Sequence, residues 1–371
     1  MASRSTAAKV ILLPLSKLYG AGTWVRNKMY DWNVFKQTSF SIPVICIGNI
    51  AVGGTGKTPH TEYVVQMLRE HYRVAILSRG YRRHTKGFVL ASKHSTPRDL
   101  GDESYQMYHK FNGDVPVAVC ENRVNGINEL QRLLPDLQVV VLDDAFQHRA
   151  VKPDIAIVLT EFDRPLFRDN MLPYGRLRES ITALNRADIV IATKCRRGIK
   201  PIEYSLFDDQ LDLIPAQSRF FSRFSYDRLL AVFPDAVDTV PELQKLTSRD
   251  MLLSVSGIAN PRPFVRFIKS FEPKVKVNVF ADHHEFTRAD METILNRFNS
   301  MTGRERYIIT TEKDAVRLMA NPYFPHELKP YIFYLPIHVE FVERPDCSSS
   351  SFNETLLRML RNTSKLKTLS R

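Results

Sequence analysis

Cysteine is scarce in this chain and never paired in sequence. The four thiols, Cys46, Cys120, Cys195 and Cys347, are scattered over 371 residues without a Cys-x-x-Cys pair. Cys46 and Cys120 lie in apolar runs that read as buried strands. The pattern argues against a disulfide framework or a zinc site and for reduced thiols in a cytosolic protein. Long hydrophobic runs are absent too: none approaches the ~20 residues that a membrane-spanning helix needs. A signal peptide is not expected, because Pro14 interrupts the first apolar run and Lys17 stands where a cleavage region should begin. There is no internal repeat and no low-complexity tract. A dense basic tract interleaved with aromatics is also missing, since the nearest case, Arg79-Gly-Tyr-Arg-Arg-His-Thr-Lys86, is short. That weighs against a nucleic-acid partner.

What is present is an ordinary globular composition with a strong positive balance. The hydrophobic fraction of 44% and charged fraction of 25% suit two folded domains at this length. The net charge of +12 implies an anionic partner, and nucleic acid, anionic lipid and phosphorylated metabolites all qualify. The stretch from Lys9 to Trp32 mixes aliphatic and aromatic residues with Lys9, Lys17, Arg26 and Lys28. Apolar residues with basic flanks and aromatic edges suit an element lying in a membrane interface. A helix packed on the protein's own core is the competing reading.

The most specific motif is Gly53-Gly54-Thr55-Gly56-Lys57-Thr58. It follows the apolar run Pro43 to Ile47 and precedes a helical period from Thr61 to Leu68. Strand, glycine-rich turn, Gly-Lys-Thr and helix form the phosphate-binding loop of nucleoside triphosphatases and kinases. The glycines let backbone N–H groups converge on phosphate oxygens, and the helix N-terminus adds its partial positive charge. Lys57 would reach the β- and γ-phosphates of ATP, and the Thr58 hydroxyl would join the Mg²⁺ shell. Ala51 stands where the usual pattern opens with glycine, so an ordinary tight turn is the competing reading.

Further short apolar runs follow at 74–77, 115–119, 139–142, 155–159 and 189–192. Such runs suit parallel strands buried on both faces, and the spacers allow crossover helices. The expected fold is therefore a doubly wound, mostly parallel phosphate-loop α/β domain. A second set at 252–256, 275–280, 307–310 and 331–334, with a helix from Arg288 to Phe298, predicts a smaller α/β domain. The expected division is an interface segment at 1–35, a kinase domain at 36–210, a smaller domain closing over the cleft at 211–345 and a polar basic tail at 346–371.

Leu142-Asp143-Asp144 ends a strand with two acids, which suits a Mg²⁺-organising site, although a solvated turn would look the same. Gln147 and His148 follow within a turn and would face the same cleft. Asp102, in Gly101-Asp102-Glu103, reads from its residues alone as a helix N-cap. Asp282-His283-His284 is a polar strand end or a proton-handling site, since no second pair of metal ligands lies at suitable spacing. Thr310 to Asp314 opens a helix, and its Thr and Asp suit capping alone.

Taken in order, these pieces resemble the tetraacyldisaccharide 4′-kinase family, which phosphorylates the disaccharide precursor of lipid A. The resemblance runs from Leu13-Pro-Leu-Ser-Lys-Leu-Tyr-Gly20 through Val44 to Pro59, Leu77-Ser-Arg-Gly-Tyr81, Gly101-Asp-Glu103, Asp143-Asp-Ala-Phe-Gln-His148 and Leu172 to Glu179. It continues at Ser256-Gly-Ile-Ala259, Phe280 to His284 and Thr311 to Ala315. The family itself lacks the first loop glycine, so Ala51 fits. Ala145 and Arg82 depart from it, where glycine is common, and put local loop shape in doubt.

The resemblance implies ATP- and Mg²⁺-dependent transfer of a γ-phosphate to the 4′-hydroxyl of an acylated disaccharide lipid. It further implies a peripheral protein on the cytoplasmic face of a bacterial inner membrane, with an anionic membrane surface as partner and no protein partner. It assigns Asp102 as proton acceptor, which makes His283 the candidate to orient it and His284 the alternative. Arg178 and Glu179 fall on the lipid side, with Arg123, Gln147 and His148 as further candidates there. Asp143 and Asp144 share the metal role with Thr58. The rival readings are a soluble phosphate-loop hydrolase coupled to a protein or nucleic acid, and a nucleotide-binding scaffold without turnover.

Overall fold

The structure, a computed structural model, describes residues 6–343 and 350–363. Of the expected tail, residues 346–349, which include Cys347, and 364–371 lie outside the described residues. The strands are β1 (Val44–Gly48), β2 (Val74–Ser78), β3 (Val89–Leu90), β4 (Val117–Val119), β5 (Val139–Asp143), β6 (Ile155–Glu161), β7 (Ile189–Thr193), β8 (Ser218–Tyr226), β9 (Leu230–Ala231), β10 (Met251–Ser256), β11 (Lys274–Val279), β12 (Arg306–Thr311), β13 (Ile332–Leu335) and β14 (Ile337–Phe341). The α-helices are α1 (Thr6–Asp31), α2 (Lys57–Leu68), α3 (Pro97–Leu100), α4 (Asp102–Lys110), α5 (Arg123–Leu133), α6 (Pro201–Leu211), α7 (Arg262–Ile268), α8 (Arg288–Asn299), α9 (Glu312–Met319) and α10 (Phe352–Asn362).

β1, β2, β5 and β7 are buried at every residue, which is why they read as unbroken apolar runs rather than alternating ones. They lie inside a nine-stranded sheet of order β14-β8-β7-β6-β1-β5-β2-β4-β3, parallel except at its two edge pairs. Separate apolar cores fill its two faces. A second sheet of five strands has the order β11-β10-β12-β13-β9. β1 and β5 are neighbours with Ile47 opposite Asp143, so the phosphate loop and the paired acids leave the sheet side by side. Helix and strand types match the expected α/β fold.

The expected domain division needs correction. β8 and β14 belong to the first sheet, so the chain crosses to the second sheet between Tyr226 and Leu230, not near 210, and returns at Pro336. β8 does not read as a strand from sequence because Ser-Arg-Phe-Phe-Ser-Arg-Phe-Ser-Tyr is only partly buried and carries two arginines. The stretch expected as a polar tail also contains α10, whose Phe352, Leu356 and Leu360 join the first sheet's core.

α1 is attached by its polar side. Ser16 Oγ donates to the Met171 carbonyl at 3.0 Å, Asn27 donates to Glu179 Oε2 at 2.9 Å, and Arg149 donates to Asp31 at 2.8 Å. Its apolar side is not packed on the core: Val10 is 69%, Leu18 70% and Trp24 55% exposed.

Candidate active site

The phosphate loop leaves β1 and enters α2 through Gly56, which caps the helix at φ 92°. A side chain there would be strained by that φ and would collide with the Phe224 ring of β8. The loop is fastened from both flanks. Asn49 donates to Thr55 Oγ1 at 2.8 Å, and Thr193, at the end of β7, donates to the Thr55 carbonyl at 2.8 Å. Gly53, Gly54, Thr55, Gly56, Lys57 and Thr58 thus stand at the carboxyl end of the sheet, where open α/β sheets bind ligands.

The paired acids face the loop. Lys57 Nζ lies 3.6 Å from Asp144 Oδ1, and Thr61 of α2 donates to Asp143 Oδ1 at 2.9 Å. The left-handed φ of 48° falls on Asp144 and not on Ala145, whose own φ is not positive, so position 145 does not need glycine. Burial, reinforced by the neighbouring Asp144 charge, lifts the Asp143 carboxyl to about 6. Asp144 Oδ1 is buried without a hydrogen-bond partner. Among the described residues no three His, Cys, Asp or Glu side chains gather as a metal cage. Two carboxylates, one with an oxygen that accepts no hydrogen bond, and a nearby threonine hydroxyl are hard oxygen donors that fit Mg²⁺, which uses few protein ligands beside phosphate oxygens.

Asp102 is the first residue of α4 and makes no capping bond, so the N-cap reading does not hold. Gly101 takes φ 81°, and a Cβ there would sit 2.6 Å from the Tyr81 carbonyl, so the helix start is pressed against the Ser-Arg-Gly-Tyr loop. In that loop Arg82 itself adopts a left-handed φ of 60°, a conformation that costs less in glycine. The Asp102 carboxylate reaches the second domain instead. His283 Nδ1 lies 3.2 Å from Asp102 Oδ2, which also accepts from Arg317 of α9. Lys313 donates to Glu103 at 2.8 Å and lies 3.1 Å from His283 Nε2. Burial raises the Asp102 pKa, but the bonds from His283 and Arg317 outweigh it and hold the carboxyl below the usual carboxylate range. His283 has φ 58°, a strained backbone of the kind found at functional sites. His284 points elsewhere and bonds Asp290 at 2.9 Å, so it is not the partner of Asp102.

The remaining candidates lie on the opposite flank of the loop. Residues 170–178 form a hairpin that bonds the exit of β1, with Arg178 N donating to the Ile50 carbonyl at 2.7 Å. Arg178 Nη1 thereby comes within 3.6 Å of Asp144 Oδ1 and 3.5 Å of Gln147 Oε1. Arg123 donates to the Asp144 carbonyl at 3.3 Å, and its buried Nε has no partner. Burial, with Arg123 nearby, lowers the His148 pKa to about 4 and keeps the ring neutral. Glu179 is the exception. It is 2% exposed and accepts from Asn27 and Arg186, so it ties α1 to the hairpin instead of lining a cleft.

Arg317 is not singled out by the sequence, and Lys313 appears there only as part of the stretch from Thr311 to Ala315. Their signal was the i, i+4 spacing that puts both on one face of the helix after Thr311. Thr311 does cap α9, but Asp314 exceeds a capping role, since it is fully buried and bonds Gly257 N at 2.8 Å and Arg317 at 3.0 Å.

Comparison with known proteins shows what the whole chain is similar to. A family model described as Tetraacyldisaccharide-1-P 4'-kinase matches residues 8–360. A Bacteroides thetaiotaomicron protein named tetraacyldisaccharide 4'-kinase is 47% identical over 366 residues, covering 97% of this chain and 95% of the relative. A Flavobacterium johnsoniae protein of the same name is 41% identical over 351 residues, covering 95% and 97%. Among solved structures, LpxK from Aquifex aeolicus in complex with ATP superposes with a TM-score of 0.70 at 27% identity, covering 94% of this chain and 98% of that one.

Proposed function

The chain belongs to the tetraacyldisaccharide-1-P 4'-kinase family, and from that premise we propose how its own residues carry out the reaction. It is an ATP-dependent kinase of lipid A biosynthesis: it transfers the γ-phosphate of ATP to the 4′-hydroxyl of a tetraacyldisaccharide 1-phosphate, giving lipid IVA. The soluble-hydrolase alternative is not favoured.

The loop amides and Lys57 hold the β- and γ-phosphates, with the Lys57 charge released from Asp144 to the nucleotide. Bound Mg²⁺ supplies charge neutralisation on the phosphates, and Thr58, Asp143 and Asp144 are the residues that would hold it. Asp102 receives the proton of the 4′-hydroxyl. A carboxylate held this acidic is a weak base, so the proton moves late, once bond formation to phosphorus has made the alcohol acidic. His283 and Arg317 orient the carboxylate from the second domain. The observation that most supports this assignment is the cross-domain contact of His283 Nδ1 with Asp102 Oδ2 at 3.2 Å.

On the other flank, Arg178, Gln147 and Arg123 offer donors suited to a lipid phosphate and sugar hydroxyls. α1 bonds these same loops, through Tyr19 to the Arg178 carbonyl at 3.2 Å and Arg26 to the Gln147 carbonyl at 2.9 Å. No helix among the described residues is long and apolar enough to cross a membrane. The exposed apolar side of α1, beside Lys17 and Arg26, supports a peripheral attachment that delivers the lipid to the cleft, on the cytoplasmic face where ATP is available.

The test is transfer of label from γ-labelled ATP to the disaccharide lipid in detergent. Lys57→Ala is expected to abolish labelling while the fold is retained. Near-normal labelling would remove the phosphate-loop assignment.

A further inference from the structure

Lys110 lies at the far end of α4 from Asp102, yet it joins the three helices whose first turns carry the site. α2 opens with Lys57, α4 with Asp102, and α9 with Glu312 and Lys313. Lys110 Nζ donates to Glu62 Oε2 of α2 at 2.6 Å and lies 3.0 Å from Glu312 Oε1 of α9. Gln106, one turn earlier on α4, donates to Glu62 Oε1 at 2.9 Å. Glu312 Oε2 in turn faces the backbone N–H of Ile337 at 3.4 Å, where the chain returns from the second sheet to the first. Glu62 and Glu312 are both buried. Burial lifts the Glu62 carboxyl to about 7 in spite of Lys110, and the two carboxylates push the Lys110 ammonium up against its own burial.

α4 and α9 are therefore fastened at two places. Arg317 and Lys313 grip Asp102 and Glu103 at one end, and Glu312 meets Lys110 at the other. Without the ammonium, two buried carboxylates from different domains would face each other and repel. A charge-assisted bond also fixes direction, which an apolar contact of the same size does not.

We propose that Lys110 is a positioning residue for phosphoryl transfer: through Glu62 and Glu312 it sets α9, and with it the Arg317 and Lys313 grip on Asp102 and Glu103, against the phosphate-loop helix. The proposal rests on the reading of Asp102 as proton acceptor. Buried ion clusters also stabilise or destabilise folds without touching function, so the decisive variant removes every charge at once. Lys110→Met combined with Glu62→Gln and Glu312→Gln leaves no uncompensated buried charge. It is expected to keep the melting temperature and ATP affinity of the parent while kcat for lipid phosphorylation falls by about 10- to 100-fold, the scale of a small misplacement of reacting groups. Parental kcat in that variant would overturn the proposal. If the triple variant does not fold, Glu312→Gln alone keeps the Lys110–Glu62 pair and loses the cross-domain one. It is expected to lower kcat by several-fold at unchanged ATP affinity, and parental kcat there would equally overturn the proposal. Asp102→Ala in the same assay separates the two claims. If it is disabled beside a fully active Lys110 variant, the role of Lys110 alone is wrong. If Asp102→Ala is itself fully active, the reading beneath the proposal fails and the proposal falls with it.

Discussion

Asp143 is a buried acid that holds its proton unusually well, and the consequence can be worked out in sign. Its carboxyl titrates near 6 in the fold because burial and the Asp144 charge oppose ionisation, with Thr61 and Lys57 only partly offsetting them. An unfolded Asp titrates at ~3.9, so the ligand-free fold binds the extra proton and loses stability as pH rises through the window from about 4 to about 6. Mg²⁺ needs the ionised form, so its binding works against that proton. The half-saturating Mg²⁺ concentration for turnover is therefore expected to fall as pH rises through about 6, and Asp143→Asn is expected to be poorly active with that pH dependence flattened. A parental dependence in the variant would show that Asp143 is not a metal ligand. Glu179 illustrates what residue type alone does not disclose. Its place after Arg178 suggests a cleft-lining acid, but the next side chain along the hairpin turns inward to Asn27 and Arg186.

Two elements carry expectations of their own. α1 presents Leu18 and Trp24 to solvent while its polar contacts hold it in place, so these apolar groups contribute little to the fold. Leu18→Asp with Trp24→Asp is expected to change stability by no more than ~0.5 kcal/mol per site. The same variant should release the protein from vesicles containing anionic lipid in a sedimentation assay. Unchanged sedimentation would remove α1 as the membrane contact. α10 is the opposite case. Leu356 is fully buried between strands and aromatics of the first sheet's core, and Leu356→Ala is expected to cost about 2–5 kcal/mol in chemical unfolding. A loss under ~1 kcal/mol would mean that the helix is not part of that core. Central strands and the phosphate-loop helix were legible because both faces of each strand are apolar and the turn chemistry is specific. β8 is not, because a partly buried strand carrying two arginines looks like linker, and α10 reads only as a possible last helix ahead of a polar tail.

At the scale of the whole molecule, the proposed site is divided between two sheets. The first provides the loop, Asp143, Asp144 and Asp102, and the second provides His283, Arg317 and Lys313. The sequence showed the first half directly, since strand, glycines and Gly-Lys-Thr are contiguous. The second half is assembled from residues about 180–215 positions away from Asp102, a separation that no local pattern encodes. From its residues His283 reads only as a polar strand end or a proton-handling site, its pairing with Asp102 rests on the resemblance, and Arg317 is not singled out by the sequence. A shared site of this kind makes a kinetic demand: if Asp102 and His283 act as one unit, their losses cannot add. The most direct test is a double-mutant cycle on kcat for lipid phosphorylation, with ATP binding measured alongside. Asp102→Ala is expected to lower kcat by roughly 10²- to 10⁴-fold with ATP affinity preserved. Adding His283→Ala to Asp102→Ala should then cost much less than His283→Ala costs alone. Fully additive losses, or an Asp102→Ala enzyme that is less stable yet still turns over normally, would contradict the account.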